Sequence, residues 1–330
     1  MVGCGVFGRN HARVYRQLQQ EGLGVGLAGV HDANNDRAQA VAREFSTQAF
    51  SSLAELAGHV DAASVAVPTS AHFPVSAQLM QAGIDVLIEK PLAASLQEAN
   101  EVVAAAERTG RIAQVGHLER FNPAVLAATP LVTRPMFFEV HRLSVFTPRS
   151  LDVDVVMDLM IHDLDVVLAL VQSSVHAIHA VGLPVISNKV DIANARVEFE
   201  NGCVANFTAS RVSTERVRKL RFFQPHEYIS IDYARQDVIK IQVDAAAAAA
   251  LLRGEAPKSA NPAGISISKP EVRQQEPLRA EIEAFLDAVR RRSSPKVTLA
   301  DGRNALQLAL QINAAIGEHH RRAGLGHSKK

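Results

Sequence analysis

Three glycines near the start of the 330-residue chain follow the spacing G-x-G-x-x-G, in the stretch GCGVFG at residues 3–8. A helical pattern over Asn10–Gln20 follows at once, and Asp32 ends the next apolar run. At such a junction the glycines permit a tight turn, close approach of a pyrophosphate, and close packing of helix and strand. The helix amino terminus adds N–H groups and partial positive charge. The pattern predicts a dinucleotide-binding turn; a glycine-rich turn beside a chance aspartate is the alternative.

Asp32 sets the expected cofactor preference. Its carboxylate would accept hydrogen bonds from both ribose hydroxyls and would repel a 2′-phosphate, so the sequence predicts NAD, with NADP disfavoured. The cofactor-binding residues are assigned to the turn (Gly3, Gly5, Val6, Phe7 and Gly8), to Asp32, and to positions after later strands (Pro68, Thr69, His72, Glu89 and Lys90).

The strand that should feed this turn is short. Such a strand normally has five or six residues, yet only Met1 and Val2 precede Gly3. We therefore expect either a misassigned start or a truncated first strand, with a cost in stability and in cofactor affinity.

The length and spacing of the apolar runs change at about residue 118, which divides the chain into two parts. Up to there, short strands alternate with helices, which predicts βαβ units and a parallel, doubly wound sheet. From residue 119 to 330, longer β-type runs surround an apolar helix at Val155–Val171, and Asn201-Gly202 marks a hairpin. The fold class expected is α/β, with a dinucleotide-binding domain over 1–118 and an α+β domain with a largely antiparallel open sheet over 119–330. We expect a long polar surface loop or insertion over 253–276 and a helix over Ala245–Ala250.

Composition excludes several classes of protein. The 35 basic and 34 acidic side chains give a net charge of +1, which argues against nucleic-acid binding. Two cysteines cannot form a disulfide framework or a zinc or iron–sulfur cluster. No apolar run approaches the ~18–20 residues that span a bilayer. We expect a cytoplasmic protein without membrane or nucleic-acid partners.

The triplet Glu89-Lys90-Pro91 follows a parallel strand, at the sheet edge where ligands of doubly wound folds bind. The proline restricts the preceding residue to extended geometry, which keeps Lys90 at this edge. Its ammonium group could hydrogen-bond a substrate hydroxyl, and a solvated surface lysine is the alternative.

The helix Val155–Val171 carries three ionisable residues on one face: Asp158, His162 and Asp165. Placing them on an otherwise apolar helix is costly unless they are paired or used. Asp158 could orient His162, which suits a proton acceptor near neutral pH. A metal site lacks a third ligand group, so no metal is predicted; a hydrogen-bonded core histidine remains an alternative.

A polar cluster at residues 116–123 directly follows the last strand of the first domain. Arg120 and Asn122 suit a phosphate or sugar hydroxyls, and His117 could face the substrate or the nicotinamide. A polar linker between domains is the alternative. Further arginines stand as unranked candidates for an anionic substrate. The substrate-binding residues assigned are His117, Arg120, Asn122, Arg149 and Asp165, with Arg142 and Arg211 as the other arginine candidates.

From residue 3 to about 316, the chain resembles the Gfo/Idh/MocA family of NAD(P)-dependent oxidoreductases. The glycine turn with His11, the Glu-Lys-Pro triplet and Asp158-x-x-x-His162 carry this resemblance. It implies catalytic roles for Lys90, Asp158 and His162 at a sugar or polyol hydroxyl. It also implies that the exposed face of the second domain's sheet forms dimers or tetramers.

Within that family, residues 116–123 look most like those of members acting on nucleotide sugars. The expected reaction is NAD-dependent oxidation of a secondary ring hydroxyl, the 3-hydroxyl of a UDP-N-acetylglucosamine-type sugar. The alternatives are an inositol- or glucose-type polyol dehydrogenase, a non-catalytic NAD-binding regulator, and an NAD-using glycosidase.

Overall fold

The computed structural model describes residues 1–147, 153–246, 249, 253 and 264–324. They form two compact units, one of Met1–Phe121 with Gln275–Gln307 and one of Asn122–Gln274 with Leu308–Lys330. This division differs from the predicted two domains, 1–118 and 119–330, because the first unit also includes the segment Gln275–Gln307. That segment clusters with the first unit because its buried Ile282 and Phe285 share a hydrophobic core with the amino-terminal helix.

The first unit holds short parallel strands and the helices that connect them. Its elements are α1 (Val6–Gln20), β1 (Gly29–Val30), α2 (Asn35–Glu44), β2 (Gln48–Ala49), α3 (Leu53–Ala57), β3 (Ala62–Val65), α4 (His72–Gln81), β4 (Asp85–Glu89), α5 (Leu96–Thr109) and β5 (Ala113–Gly116), with α8 (Pro277–Arg291) from late in the chain.

Val2 joins the parallel strands of this unit. β1 pairs with β2, and β3 pairs with β4 and β4 with β5, all parallel. Val2 forms parallel bridges to His31 and to Val65, and its N–H donates to the Ser64 carbonyl at 2.8 Å. The strand order is therefore β2–β1–Val2–β3–β4–β5, which confirms the predicted parallel sheet. Val2 occupies the central position of this order, and the glycine turn follows it directly.

Local sequence signals explain how α5 begins and ends. The Ser95 side chain accepts a hydrogen bond from the Glu98 N–H, and Gly110 adopts a left-handed conformation with φ of 64° at the carboxyl end. A serine cap and a glycine terminator satisfy backbone groups that the helix leaves unpaired. Both ends of α5 are therefore set by residues of the same short stretch of chain.

The second unit is built on an eight-stranded sheet. Its elements are α6 (Pro123–Ala128), β6 (Phe137–Val145), a π-helical segment (Val156–Met160), α7 (Ile161–Val171), β7 (Val175–Leu183), β8 (Ile192–Phe199), β9 (Val204–Ser213), β10 (Val217–Gln224), β11 (Glu227–Asp232), β12 (Asp237–Val243) and β13 (Ile265–Ser268), and α9 (Leu299–Arg322) begins in the first unit and ends here.

The strand order in this sheet is β13–β12–β11–β10–β6–β9–β8–β7. Every neighbouring pair is antiparallel except β6 and β9, so the predicted α+β unit with a largely antiparallel sheet is confirmed. Within the predicted surface loop or insertion over 253–276, the chain forms strand β13, which pairs with β12. The predicted helix over Ala245–Ala250 lies partly outside the described residues.

The helix predicted over Val155–Val171 has two parts, since the π-helical segment Val156–Met160 precedes α7. The Asp154 side chain accepts a hydrogen bond from the Met157 N–H at 2.9 Å and another from the Asn313 amide at 3.1 Å. Short π-helical segments occur frequently at functional sites. Among the described residues, no helix has both the length and the apolar character needed to cross a membrane.

Candidate active site

The three glycines of the turn meet different surroundings. Gly3 has φ of +89°, and a Cβ there would lie 2.4 Å from the Ala66 carbonyl oxygen. A Cβ on Gly8 would lie 1.7 Å from the Gly3 carbonyl oxygen. At Gly5, by contrast, an added Cβ would meet no atom within 4 Å. The fold itself therefore requires Gly3 and Gly8, whereas Gly5 borders open space in which a ligand can approach the backbone.

The amino terminus of α1 begins at this turn. Gly5 is its N-cap and makes no side-chain capping hydrogen bond, and the first turn contains no acidic residue. Val6 and Phe7 are exposed. Helix N–H groups without a side-chain acceptor, together with the helix dipole, favour an anion such as a phosphate. The turn thus fits the pyrophosphate of a dinucleotide.

Asp32 lies next to the turn, as the sequence predicts for a ribose-binding carboxylate. One carboxylate oxygen accepts from the Cys4 N–H at 2.6 Å, and the other accepts from the Asn34 N–H at 2.8 Å. The Arg37 guanidinium lies 3.7 Å from the carboxylate. Each carboxylate oxygen can accept a second hydrogen bond, so the residue retains the capacity to bind a diol.

The loops after β3 and β4 are joined by His72. Its ring nitrogens lie 2.8 Å from the Pro91 carbonyl oxygen and 3.0 Å from the Val67 carbonyl oxygen. Burial lowers the pKa of His72, although the two carbonyl contacts oppose this shift. Pro68 is exposed and Thr69 half-buried in the same loop. His72, which the sequence assigns to the cofactor, therefore connects the backbones of these two loops.

Glu89 and Lys90 lie where β4 ends. The Glu89 carboxylate contacts the His11 Nε2 at 2.8 Å and accepts a hydrogen bond from the Lys90 backbone N–H at 3.3 Å. Burial alone would raise the pKa of Glu89, but the hydrogen bond from His11 and the charges of His11 and Lys90 lower it overall. Glu89 is therefore a half-buried carboxylate whose ionised form is favoured, and it lies beside a half-buried lysine.

His117 is buried just beyond β5, and neither ring nitrogen has a hydrogen-bond partner among the described residues. Burial, together with the charges of Lys90 and Arg120, lowers the pKa of His117 to about 3. The imidazole is thus neutral near pH 7, with one N–H to donate and one nitrogen to accept. Since buried polar groups normally find partners, His117 suits hydrogen bonding to a ligand.

The lowered pKa of His117 predicts a pH-dependent stability. An unfolded histidine takes up a proton below about pH 6.5, whereas His117 in the folded chain does so only near 3. Stability is therefore lost as the pH falls through this window, by about 1.4 kcal/mol per pH unit. We expect the stability of His117→Gln to fall less steeply with pH, because the contribution of His117 is absent, as measured by urea unfolding at pH 7, 6 and 5. Parallel slopes for the two proteins would contradict the buried neutral state.

In the second unit, the structure places Asp158 in the π-helical segment and His162 at the second residue of α7. Both side chains are half-buried, whereas Asp165 is buried. The adjacent Asp163 is also buried and receives two hydrogen bonds from Arg142, at 2.6 and 2.9 Å. This bidentate pair ties the helix next to His162 to strand β6.

Several polar residues considered for the substrate have structural partners instead. Arg142 pairs with Asp163, and its guanidinium lies over the Tyr233 ring. Arg211 is buried 3.7 Å from Asp191. Both guanidinium groups therefore lie buried against carboxylates of the second unit.

Asn122 caps α6 through the Ala124 N–H and donates to the Tyr233 carbonyl oxygen at 3.1 Å. It thus has a structural function in the second unit whatever else it binds. Arg120 is half-buried in the first unit, close enough to His117 to affect its pKa. Arg149 lies outside the described residues.

The sequence analysis gives His11 no role beyond its place after the glycine turn. It is fully buried on α1 and contacts Glu89, which lies 78 residues away in the chain. A histidine on the apolar face of a helix is the only local signal, and it does not identify the partner.

Comparison with known proteins gives a consistent result for both units. The family model GFO_IDH_MocA, described as an oxidoreductase family with an NAD-binding Rossmann fold, matches residues 1–117. The GFO/IDH/MocA C-terminal domain model matches residues 134–224.

The UDP-N-acetylglucosamine 3-dehydrogenase of Acidithiobacillus ferrooxidans is 36% identical to this chain over 317 residues, which cover 96% of each protein. A solved structure of that enzyme has a TM-score of 0.85 at 35% identity, again over 96% of both chains. The scyllo-inositol 2-dehydrogenase (NAD(+)) of Bacillus subtilis is 28% identical over 233 residues, or 64% of this chain and 67% of that protein. Similarity at this identity along nearly the whole length, with both units matched, shows that the chain belongs to the GFO/IDH/MocA family of oxidoreductases.

Proposed function

We propose that this protein is an NAD-dependent dehydrogenase that oxidises the 3-hydroxyl of a UDP-N-acetylglucosamine-type nucleotide sugar. The observation that carries this proposal is the near full-length similarity to the Acidithiobacillus ferrooxidans enzyme that is named for this reaction. The polar residues described above supply the groups that such a reaction requires.

The first unit fits the cofactor. The amino terminus of α1 would bind the pyrophosphate, Gly5 would allow its close approach, and Asp32 would bind the adenosine ribose. When bound, the nicotinamide ring supplies the acceptor for a hydride. His72 and Glu89 would support the loops that border this ligand.

The protein's own side chains supply the proton chemistry. We assign His162 as the base that takes the proton of the sugar hydroxyl, because imidazole accepts protons near neutral pH. Asp158 would stabilise the imidazolium that forms. The Lys90 ammonium would donate a hydrogen bond to the same hydroxyl oxygen and stabilise the negative charge that develops there.

Two further residues of the first unit are assigned to the substrate. Neutral His117 can donate or accept a hydrogen bond without adding charge. Arg120 carries a permanent positive charge and suits the diphosphate of a nucleotide sugar, which inositol lacks. In the second unit we assign Asn122 and Asp165 to the sugar, and Arg149 to its phosphates.

Asp32 is proposed to select NAD over NADP. We expect Asp32→Ala to lose about 10- to 100-fold in affinity for NADH, because hydrogen bonds to a charged group are removed. Affinity for NADPH should rise or stay unchanged, since the repulsion of the 2′-phosphate is also removed. Fluorescence titration with both reduced cofactors measures this change. Equal affinity of the unaltered protein for the two would contradict the assignment.

A substrate panel tests the proposed reaction. The protein is incubated with NAD and, separately, UDP-N-acetylglucosamine, its uronate, myo-inositol and glucose, and NADH is followed by absorbance. We expect reduction with UDP-N-acetylglucosamine. A response to inositol or glucose alone would favour a polyol dehydrogenase, to which the Bacillus subtilis relative points. Binding of NADH without reduction by any sugar would indicate a regulator, and release of a free sugar would indicate a glycosidase.

We also propose that the outer face of the eight-stranded sheet mediates dimer or tetramer formation. Phe137, Phe223 and Tyr228 lie together there, with ring centroids 5.7 and 5.1 Å apart. Phe223 is exposed in the single chain. Sedimentation velocity should therefore show an oligomer, and Phe223→Lys should shift it towards the monomer.

A further inference from the structure

Three ionisable side chains meet inside the first unit, one of them on the helix that follows the glycine turn. His11 and Glu281 are fully buried, and Glu89 is half-buried. One nitrogen or oxygen atom of each lies within 4.8 Å of the corresponding atoms of the other two. The proposed reaction uses neither His11 nor Glu281, so their burial requires another explanation.

The contacts connect this cluster to the proposed catalytic lysine. His11 Nε2 lies 2.8 Å from one Glu89 carboxylate oxygen, and the other oxygen accepts a hydrogen bond from the Lys90 backbone N–H. One carboxylate thereby links α1 to the residue that carries the ammonium group. Because each oxygen has a different partner, the carboxylate plane can take few orientations.

Packing restricts Glu89 further. A Cβ on Gly116 would lie 3.1 Å from the Glu89 carboxyl carbon, so the glycine leaves just enough room for this side chain. The Glu89 charge interacts with His11, Lys90 and His72, and with His117 across the end of the sheet. Its position therefore affects several groups assigned to ligands.

We propose that His11 is a positioning residue, which holds the Glu89 carboxylate in the orientation that supports Lys90. This proposal rests on the proposed function, which makes Lys90 important for turnover. A divalent cation shared by His11, Glu89 and Glu281 is the alternative occupant of the cluster, since the three atoms are close enough to hold one.

Two amide substitutions at His11 test whether the hydrogen bond to Glu89 is required or whether any polar side chain suffices. In His11→Gln, the side-chain amide nitrogen can reach the position of Nε2 and donate to Glu89. In His11→Asn, the shorter side chain places its amide near the position of Nδ1 and cannot reach. Ser64→Ala is the control, because it removes a different buried hydrogen bond of α1, the 2.8 Å contact with the Tyr15 hydroxyl.

We expect His11→Asn to lower kcat for the sugar by about 10- to 100-fold, the scale of a misplaced catalytic group, with affinity for NADH within about twofold. His11→Gln should retain kcat within about threefold, and Ser64→Ala should match the unaltered protein. Equal kcat values for the Gln and Asn variants would overturn the proposal.

A second readout does not depend on the reaction. Acetic anhydride labels lysine amines, and mass spectrometry after proteolysis gives the labelling rate of Lys90 relative to Lys296 in the same sample. We expect His11→Asn to change this ratio at least about threefold and His11→Gln to leave it unchanged. If no sugar reduces NAD, the proposed function fails, yet the labelling ratio still decides the role of His11. An unchanged ratio in both variants, or a stoichiometric divalent metal in the purified protein, would overturn the positioning role.

Discussion

His162→Ala and Lys90→Ala are each expected to lower kcat by about 10²- to 10⁴-fold while leaving the affinity for NADH within about twofold. The reason is that His162 is assigned to the proton and Lys90 to the hydroxyl oxygen, whereas the pyrophosphate and ribose contacts are assigned to the glycine turn and Asp32. His162 lies on α7 and Lys90 at the end of β4, so neither belongs to that turn. Steady-state kinetics with UDP-N-acetylglucosamine and fluorescence titration with NADH measure the two effects separately.

The controls are residues of the same type away from the assigned groups. His179 is exposed on β7 and Lys189 is exposed beyond it, so His179→Ala and Lys189→Ala should leave kcat unchanged. Near-normal turnover of His162→Ala would remove this histidine from the mechanism and leave it a structural role on the helix. Loss of NADH binding by Lys90→Ala would instead show that the main ligand of this lysine is the cofactor and not the sugar hydroxyl.

Alanine at Gly8 and at Gly5 should separate folding of the turn from binding of the cofactor. In Gly8→Ala the new Cβ would lie 1.7 Å from the Gly3 carbonyl oxygen, so the turn must move. We expect a loss of about 1–3 kcal/mol or more in the free energy of unfolding, together with loss of detectable NADH binding. Urea unfolding and NADH titration measure these two effects.

Gly5→Ala is the matched variant. Its Cβ meets no protein atom within 4 Å, so the free energy of unfolding should change by only a few tenths of a kcal/mol. Affinity for NADH should nevertheless fall about tenfold or more, because the methyl group occupies the space through which a pyrophosphate approaches the backbone. A Gly5→Ala protein with normal NADH affinity would show that the cofactor does not lie against this turn.

The architecture could be predicted from the sequence where its determinants are local. Helix α5 has its serine cap and its glycine terminator within the same stretch of chain. Strand β10 is not evident from the sequence, because basic side chains alternate with the buried Leu220 and Phe222 and mask the apolar pattern. Strand β13 was missed because its exposed Ile265 and Ile267 carry no burial signal, and it forms only through pairing with β12.

The candidate site divides in the same way. The glycine turn and Asp32 could be predicted because the motif contains both the backbone requirement and the ligand chemistry. Arg142 could not be assigned from sequence, since its partner Asp163 comes from another element and was not identifiable by spacing. The π-helical segment before α7 was also not predictable, because five residues of π-helix leave no distinct periodicity in the sequence.

The central claim is that a hydride leaves carbon 3 of the sugar for the nicotinamide. It is tested most directly by incubating the protein with NAD and UDP-N-acetylglucosamine deuterated at carbon 3, then measuring the isotopic composition of the reduced cofactor by mass spectrometry. We expect NADH that carries one deuterium, and unlabelled NADH when the sugar is deuterated at carbon 4 instead. Unlabelled NADH from the 3-deuterated sugar, or no NADH at all, would contradict it.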